Sequence, residues 1–399
     1  MKYVVVLGDG MADYRKGPLG VRTPLELAKK PNMDSLAKKG VVGLLKTVDD
    51  GMKPGSDVAN LSVMGYDPKV CYTGRAPLEA LSLGIDTSED DTVFRMNLVT
   101  LSDGEEFAEK TMVDYSAGEI STEEGHELVK AVAENLSDGC IEFFGGTSYR
   151  NCAVLRGTHT DVTFTPPHDI LGKKIGEYLP QGEGSGVFTS LIERSQRVLI
   201  NHPVNLKRIA DGKNPANAIW FWGKGTKPKL ENFYEKYGLK GAVISAVDLL
   251  KGIAVGGGLD VINVEGATGN LDTNFFGKAQ ACVDALDTHD YVYLHYEAPD
   301  ECGHQGDAEG KIKAIEKIDE AIGFIVEKLT EKKEDFVMAI LPDHPTPLCL
   351  RTHVSDPVPF IVYNSVRNGN CGLEYNEEAA QKGLYLSNGR ALLRLMMKS

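Results

Sequence analysis

Short β-branched apolar runs recur along this chain, and each ends in a loop. Tyr3–Leu7, Ala218–Trp222, Ala242–Ile244, Val261–Val264, Tyr291–Leu294, Phe336–Leu341 and Phe360–Tyr363 are of this kind. Unbroken apolar runs of this length suit strands covered on both faces, as in a parallel sheet. Helical patterns lie between them. The clearest sets Ile312, Ile315, Ile318, Ile322, Ile325 and Leu329 three or four residues apart, with Lys and Glu on the other faces. The alternation predicts an α/β fold with a mainly parallel sheet flanked by helices, its chemistry gathered at the carboxyl ends of the strands. Asp9, Asp300 and Asp343 all fall just beyond such a run.

The stretch from about 87 to 187 breaks the pattern. Phe94–Leu101, Glu106–Asp114, Glu142–Phe144, Ala153–Arg156 and Asp161–Thr165 read as strands of a meander, with one helix over Thr122–Leu136. We expect an inserted, smaller α+β domain over 87–187, and a core formed by 1–86 and 188–399. A helix over Phe188–Ile209 would lead back to that core. The Gly/Pro-rich segments at 180–186 and 223–228 are candidate hinges.

A chain of 399 residues is long for one domain, which agrees with that division. With 43 basic and 57 acidic residues the formal charge is −14, and no Lys/Arg block stands out. Nucleic acid and anionic membranes are therefore not expected as partners. An anionic substrate stays open, because bound cations can invert the local field. The 7 cysteines are scattered and form no CxxC, so we expect a reducing, cytoplasmic setting. Tyr3–Leu7 is too short for a signal peptide, and no apolar run approaches membrane-spanning length. Nothing in the sequence sets the oligomeric state.

Three carboxylate–histidine clusters stand near the C-terminus. Asp300 and His304 lie four apart in APDECGHQGD, Asp343 and His344 are adjacent in LPDHPTP, and His353 follows in RTHVSDP. Imidazole nitrogen with carboxylate oxygen suits Mn²⁺, Zn²⁺ or Fe²⁺. Five such ligands exceed what one metal with an open position needs, so the pattern reads as a two-metal site. The plainer alternative is an Asp–His ion pair on one helix face and two loop histidines. Near the N-terminus, Gly8-Asp9-Gly10 lacks the third glycine of a dinucleotide fingerprint, and Asp9 would repel a pyrophosphate. Beside the later clusters, Asp9 reads better as a metal ligand.

Ser56, in PGSDVANLSVMGYDP (54–68), has the composition of a helix N-cap. A helix N-terminus also offers N–H groups to an anion, and a serine hydroxyl beside a cation can act as a nucleophile on phosphorus. No Gly-x-Ser-x-Gly elbow argues for acyl transfer instead.

In order, Asp9, Gly55-Ser56, Asp300-x-x-x-His304, Asp343-His344 and His353 resemble the metal and nucleophile signature of the alkaline phosphatase superfamily. Within it, the chain is similar to the cofactor-independent phosphoglycerate mutases of the archaeal type. The resemblance runs over essentially the whole length, through PNMDSLAKKG (31–40), PGSDVANLSVMGYDP (54–68), YTGRAPLEA (72–80), FRMNLVTL (94–101) and LPDHPTP (341–347). It implies an alkaline-phosphatase-like core and two divalent cations. Mn²⁺ suits the mixed ligands best, with Zn²⁺, Co²⁺ or Mg²⁺ as alternatives. One cation would be held by Asp9, Ser56, Asp343 and His344, the other by Asp300, His304 and His353. It also implies that 3-phosphoglycerate hands its phosphoryl group to Ser56 and receives it back on the 2-hydroxyl, without 2,3-bisphosphoglycerate. Such a reaction needs cationic groups for its substrate and an insertion closing as a lid over a dry site. Arg75, Arg95, Arg150 and Lys251 are the candidates, with Asn97 beside Arg95 because two polar residues alternate in an apolar strand.

Two departures bear on the substrate. Where many such mutases have an arginine-rich DRxAGR segment, this chain reads Asp114-Tyr-Ser-Ala-Gly-Glu119. Asn60 also stands where a histidine is expected in the serine helix. The alternative is a homoserine kinase-like phosphotransferase using the same serine and metals, with Glu119 facing the substrate ammonium. A phosphatase is a further, weaker alternative, against which the lid-like insertion argues.

Overall fold

A computed structural model describes residues 1–104, 106–367 and 369–399. Two compact units emerge, one of Met1–Tyr72 with Lys229–Ser399 and one of Thr73–Pro228. Among the described residues no helix is long and apolar enough to cross a membrane.

The larger unit is built on an eight-stranded sheet. Its strands run in the order Leu384–Leu386, Val41–Leu45, Val358–Asn364, Phe336–Leu341, Lys2–Gly8, Tyr291–Tyr296, Gly241–Ile244 and Asp260–Val261. The first strand, Lys2–Gly8, sits in the middle, parallel to both of its neighbours. Leu7 lies opposite both His295 and Leu341, so these three strands end level with one another. That register brings the loops carrying Asp9, Asp300 and Asp343 to one end of the sheet. The strands Phe336–Leu341, Val358–Asn364 and Val41–Leu45 pair antiparallel, so the sheet is mixed but mostly parallel. Beneath it, Ile315, Ile318, Ile322, Ile325 and Leu329 of helix Ala308–Glu331 are buried in one core with Val4, Val6, Leu294 and Ile340. The helical spacing read from the sequence is that buried stripe.

The strands Val41–Leu45 and Leu384–Leu386 escaped sequence reading. The first is interrupted by Gly43, the residue that lets them pair: a Cβ there would lie 1.8 Å from the Leu384 carbonyl oxygen. The second is three residues long and carries no pattern to read.

The smaller unit holds a five-stranded antiparallel sheet. Thr92–Leu101 is central, flanked by Arg150–Leu155 and Ala218–Gly225. Ala218–Trp222 therefore does not join the parallel sheet: its apolar run pairs antiparallel with Thr92–Leu101. Burial on both faces makes any strand read as continuous apolar sequence, whichever way its neighbours run. The same pairing carries this unit past the 87–187 bounds read from sequence, to Thr73–Pro228. Other local differences have local causes. Phe188–Ile209 is two helices, Ser185–Leu199 and Pro203–Ala210, because Pro203 starts a new one. Glu106–Asp114 yields a 3₁₀ turn, Phe107–Glu109, and a short strand, Met112–Asp114. Asp161–Thr165 contributes only an isolated bridge from Thr163 to Gln181, and Val261–Val264 only the end of Asp260–Val261.

Candidate metal centre and nucleophile

Asp9 leaves the central strand into a turn that must be glycine. Gly10 has φ +60°, and a Cβ on it would lie 2.5 Å from Asp300 Oδ1. The turn donates Gly10 N–H to Asp343 Oδ1 at 3.2 Å, coupling the first loop to that after Phe336–Leu341. Asp9 Oδ2 lies 3.0 Å from His295 Nε2, and His295 Nδ1 lies 3.1 Å from Ser245 Oγ. Asp9 Oδ1 is buried without a hydrogen-bond partner.

Around Asp9 two ligand triplets converge: Asp9, Asp343 and His344, and Asp300, His344 and His353. Within each, one donor atom per residue lies within 4.8 Å of the others. His344 belongs to both, with Nε2 at 3.5 Å from Asp9 Oδ1 and 3.3 Å from Asp343 Oδ2. Asp300 stands in the first turn of helix Ala298–Gln305, which places His304 on the same face four residues on. Their atoms Oδ2 and Nε2 are 3.2 Å apart, and His353 Nε2 is 2.9 Å from His304 Nε2. Thr346, also missed in the sequence, donates its hydroxyl to Asp300 Oδ1. His304 Nδ1 lies 3.0 Å from the Arg351 carbonyl oxygen, to which it donates, and this holds the ring with Nε2 facing Asp300 and His353.

The electrostatics fit a cation. Burial, reinforced by the Asp343 and Asp300 carboxylates, pushes Asp9 well above the ordinary carboxylate range. Burial likewise lowers His344, and holds His295 down at about 3. The hydrogen bond to Asp300 raises His304 to about 9. A partnerless carboxylate oxygen facing buried imidazole nitrogens, among several carboxylates, is the donor set of a mixed N/O metal site.

Ser56 is not an N-cap. Gly55 occupies that position in extended backbone and Ser56 is the first residue of helix Ser56–Val63. Released from capping, Ser56 Oγ lies 3.2 Å from His344 Nε2. One turn on, buried Asn60 donates to Asp343 Oδ2 at 2.9 Å.

Of the residues expected to bind substrate, Arg95 is buried, 2.9 Å from Glu79 and stacked 4.1 Å over Trp222. Asn97 donates to the Tyr115 carbonyl oxygen and accepts from Trp222 Nε1 at 2.8 Å. Arg75 pairs with Glu79 at 3.0 Å, and exposed Arg150 lies 4.4 Å over the Tyr149 ring. These four share the smaller unit. Lys251 is in the larger one, 3.8 Å from Asp248. The 114–119 segment contains a left-handed turn: Ala117, Gly118 and Glu119 have φ of 50°, 68° and 50°. Asp114 accepts from the N–H groups of Ser116 and Gly118, and Arg208 bonds the Ala117 carbonyl oxygen.

Sequence could have flagged His295, a lone imidazole in the apolar run YVYLHY; Ser245 and Thr346 carried no such signal.

Comparison with known proteins bears on the whole arrangement. The family model for 2,3-bisphosphoglycerate-independent phosphoglycerate mutase matches residues 37–205, and that for type I phosphodiesterase / nucleotide pyrophosphatase matches 176–351. A 2,3-bisphosphoglycerate-independent phosphoglycerate mutase of Methanothrix thermoacetophila is 50% identical over 399 residues, covering 100% of both chains. A solved protein of Pyrococcus horikoshii is 31% identical with TM-score 0.83, over 100% of this chain and 96% of its own. The cofactor-independent phosphoglycerate mutase of Thermoplasma acidophilum is 27% identical with TM-score 0.67, over 100% of this chain and 99% of its own. The chain thus belongs to the archaeal-type 2,3-bisphosphoglycerate-independent phosphoglycerate mutases.

Proposed function

We propose that this chain interconverts 3-phosphoglycerate and 2-phosphoglycerate in the cytoplasm, through a phosphoserine on Ser56 and without 2,3-bisphosphoglycerate. The observation that carries the reading is Ser56 Oγ at 3.2 Å from His344 Nε2, the imidazole common to both ligand triplets. Asp9, Ser56, Asp343 and His344 would hold one divalent cation, and Asp300, His304 and His353 the other. Mn²⁺ is favoured by the mixed nitrogen and oxygen donors. When bound, the cations lower the pKa of the serine hydroxyl and offset charge on the transferring phosphoryl group.

The rest of the chemistry belongs to the chain. Ser56 Oγ attacks phosphorus, the bond from phosphorus to the 3-oxygen breaks, and glycerate is left with a free 3-hydroxyl. Glycerate then reorients, its 2-oxygen attacks the phosphoserine, and Ser56 regains its proton. The N–H groups at the start of helix Ser56–Val63 suit the phosphoryl oxygens. Arg75, Arg95, Asn97, Arg150 and Lys251 are assigned to the substrate's anionic groups. Because Arg95 and Asn97 are buried, we give the more accessible Arg75, Arg150 and Lys251 the direct contacts and Arg95 and Asn97 their support.

The test is conversion of 3-phosphoglycerate with Mn²⁺ and no 2,3-bisphosphoglycerate, wild type beside Ser56→Ala. Wild type should turn over and the variant should fall by more than about 10³-fold. Its fold should be unchanged, since the serine caps nothing. A folded, Mn²⁺-loaded wild type that is inert here but phosphorylates homoserine from ATP would replace this reading with the kinase.

A further inference from the structure

Asn60 lies one turn beyond Ser56, and its amide is fully used. It is wholly buried. Nδ2 donates to the Ser56 carbonyl oxygen at 2.8 Å and to Asp343 Oδ2 at 2.9 Å. Oδ1 accepts from the buried Tyr293 hydroxyl at 2.5 Å. The orientation is unambiguous: turned over, the amide would set its oxygen against a carbonyl and a carboxylate, with its NH₂ against the phenol. The other oxygen of Asp343 accepts from the N–H groups of Gly10, at 3.2 Å, and His344, at 2.9 Å. Asp343 is thereby tied to the loop after the first strand and, through Asn60, to the serine helix.

Two donors and an acceptor on one short, planar group are what this span requires. Histidine cannot supply both donors from one atom, aspartate would face Asp343 with like charge, and leucine supplies nothing. We propose that Asn60, oriented by Tyr293, is a positioning residue that locks the serine helix to the Asp343 carboxylate. It thereby sets the spacing between the Ser56 hydroxyl and the cation-binding groups. This deepens the mutase reading above and rests on its assignment of Ser56 and Asp343. Asn60 touches neither substrate nor reacting atoms in this role.

Two variants test it, Asn60→Leu and Tyr293→Phe. The second removes only a hydroxyl and leaves the packing of the strand intact. Mn²⁺ alone is titrated calorimetrically into each metal-free protein, and kcat and KM for 3-phosphoglycerate are measured at saturating Mn²⁺. Loss of such a supporting contact should weaken Mn²⁺ binding on the order of 10- to 100-fold in Asn60→Leu, and less in Tyr293→Phe. kcat should fall with it while KM stays at the wild-type value, a split that general loosening of the fold would not produce. Wild-type Mn²⁺ affinity and kcat in folded Tyr293→Phe would overturn the proposal, as would a raised KM with unchanged Mn²⁺ affinity. The Mn²⁺ titration reads the lock whatever the substrate, whereas Ser56→Ala turnover reads the nucleophile, so the two failures are distinguishable.

Discussion

A buried carboxylate is stabilising or destabilising according to what surrounds it, and this chain contains both cases. Asp9 has burial and three other carboxylates, Asp343, Asp300 and Glu297, against it, which is tolerable where a cation is to be held. Asp91, in the smaller unit, shows the opposite balance. Burial pushes it up, but N–H bonds from Gly157 and Ser88 and the Arg156 guanidinium at 3.0 Å bring it down to about 2. Its pKa in the folded chain thus lies below the unfolded value of about 3.9. The stability it contributes is present above that unfolded value and is lost as pH falls toward 2. Asp91→Asn should therefore destabilise the protein at pH ~7, and the gap to wild type should close as pH drops toward about 2. Urea unfolding at a series of pH values checks this; a gap independent of pH would contradict it. At this scale the sequence was informative where chemistry constrains residue type. Asp9, Asp300, His304, Asp343, His344 and His353 could be picked out as candidate ligands because few structural roles need that set, and all but His304 fall in the two triplets. Ser245 and Thr346 could not, because hydroxyls of that kind occur everywhere and only the fold gives them a partner.

Elements were legible in proportion to the local signals at their ends. Helix Thr122–Leu136 matches its expected span because Ser121 caps it, accepting from Glu124 N–H at 3.2 Å, with two glutamates in the first turn. Ser121→Ala should cost about 1 kcal/mol. In a thermal melt that loss should appear as a midpoint lowered by a few degrees, and an unchanged midpoint would mean that tertiary packing alone holds the helix. The serine helix was misjudged for a related reason. Ser56 looks like a cap by composition, yet Gly55 precedes it in extended backbone and takes that position, leaving the hydroxyl for His344. Strands carried less information. Ala218–Trp222 and Phe336–Leu341 both read as continuous apolar runs, but one is antiparallel in the smaller unit and the other sits beside the central strand. An apolar run reports burial, and pairing depends on residues more than a hundred positions away.

At the scale of the molecule, the larger unit gathers its functional residues by register. Three strands, one from the beginning and two from the last third of the chain, finish level, so loops far apart in sequence meet at one end of the sheet. That architecture could be anticipated from Asp9, Asp300 and Asp343 each standing just past an apolar run. The extent of the smaller unit could not, because its last strand lies well beyond the meander that announces it. Family membership supplies the expected reaction, and the arrangement of Ser56 beside His344 supplies a route for it. In the proposed reaction Ser56 carries the phosphoryl group between the two oxygens of glycerate. The most direct measurement is acid quenching of the Mn²⁺-loaded enzyme during turnover of 3-phosphoglycerate, followed by mass spectrometry of its peptides. A phosphoryl group on the peptide containing Ser56, absent before substrate is added, is the predicted result. Conversion to 2-phosphoglycerate with that peptide unmodified, or with Ser56→Ala still turning over, would contradict it.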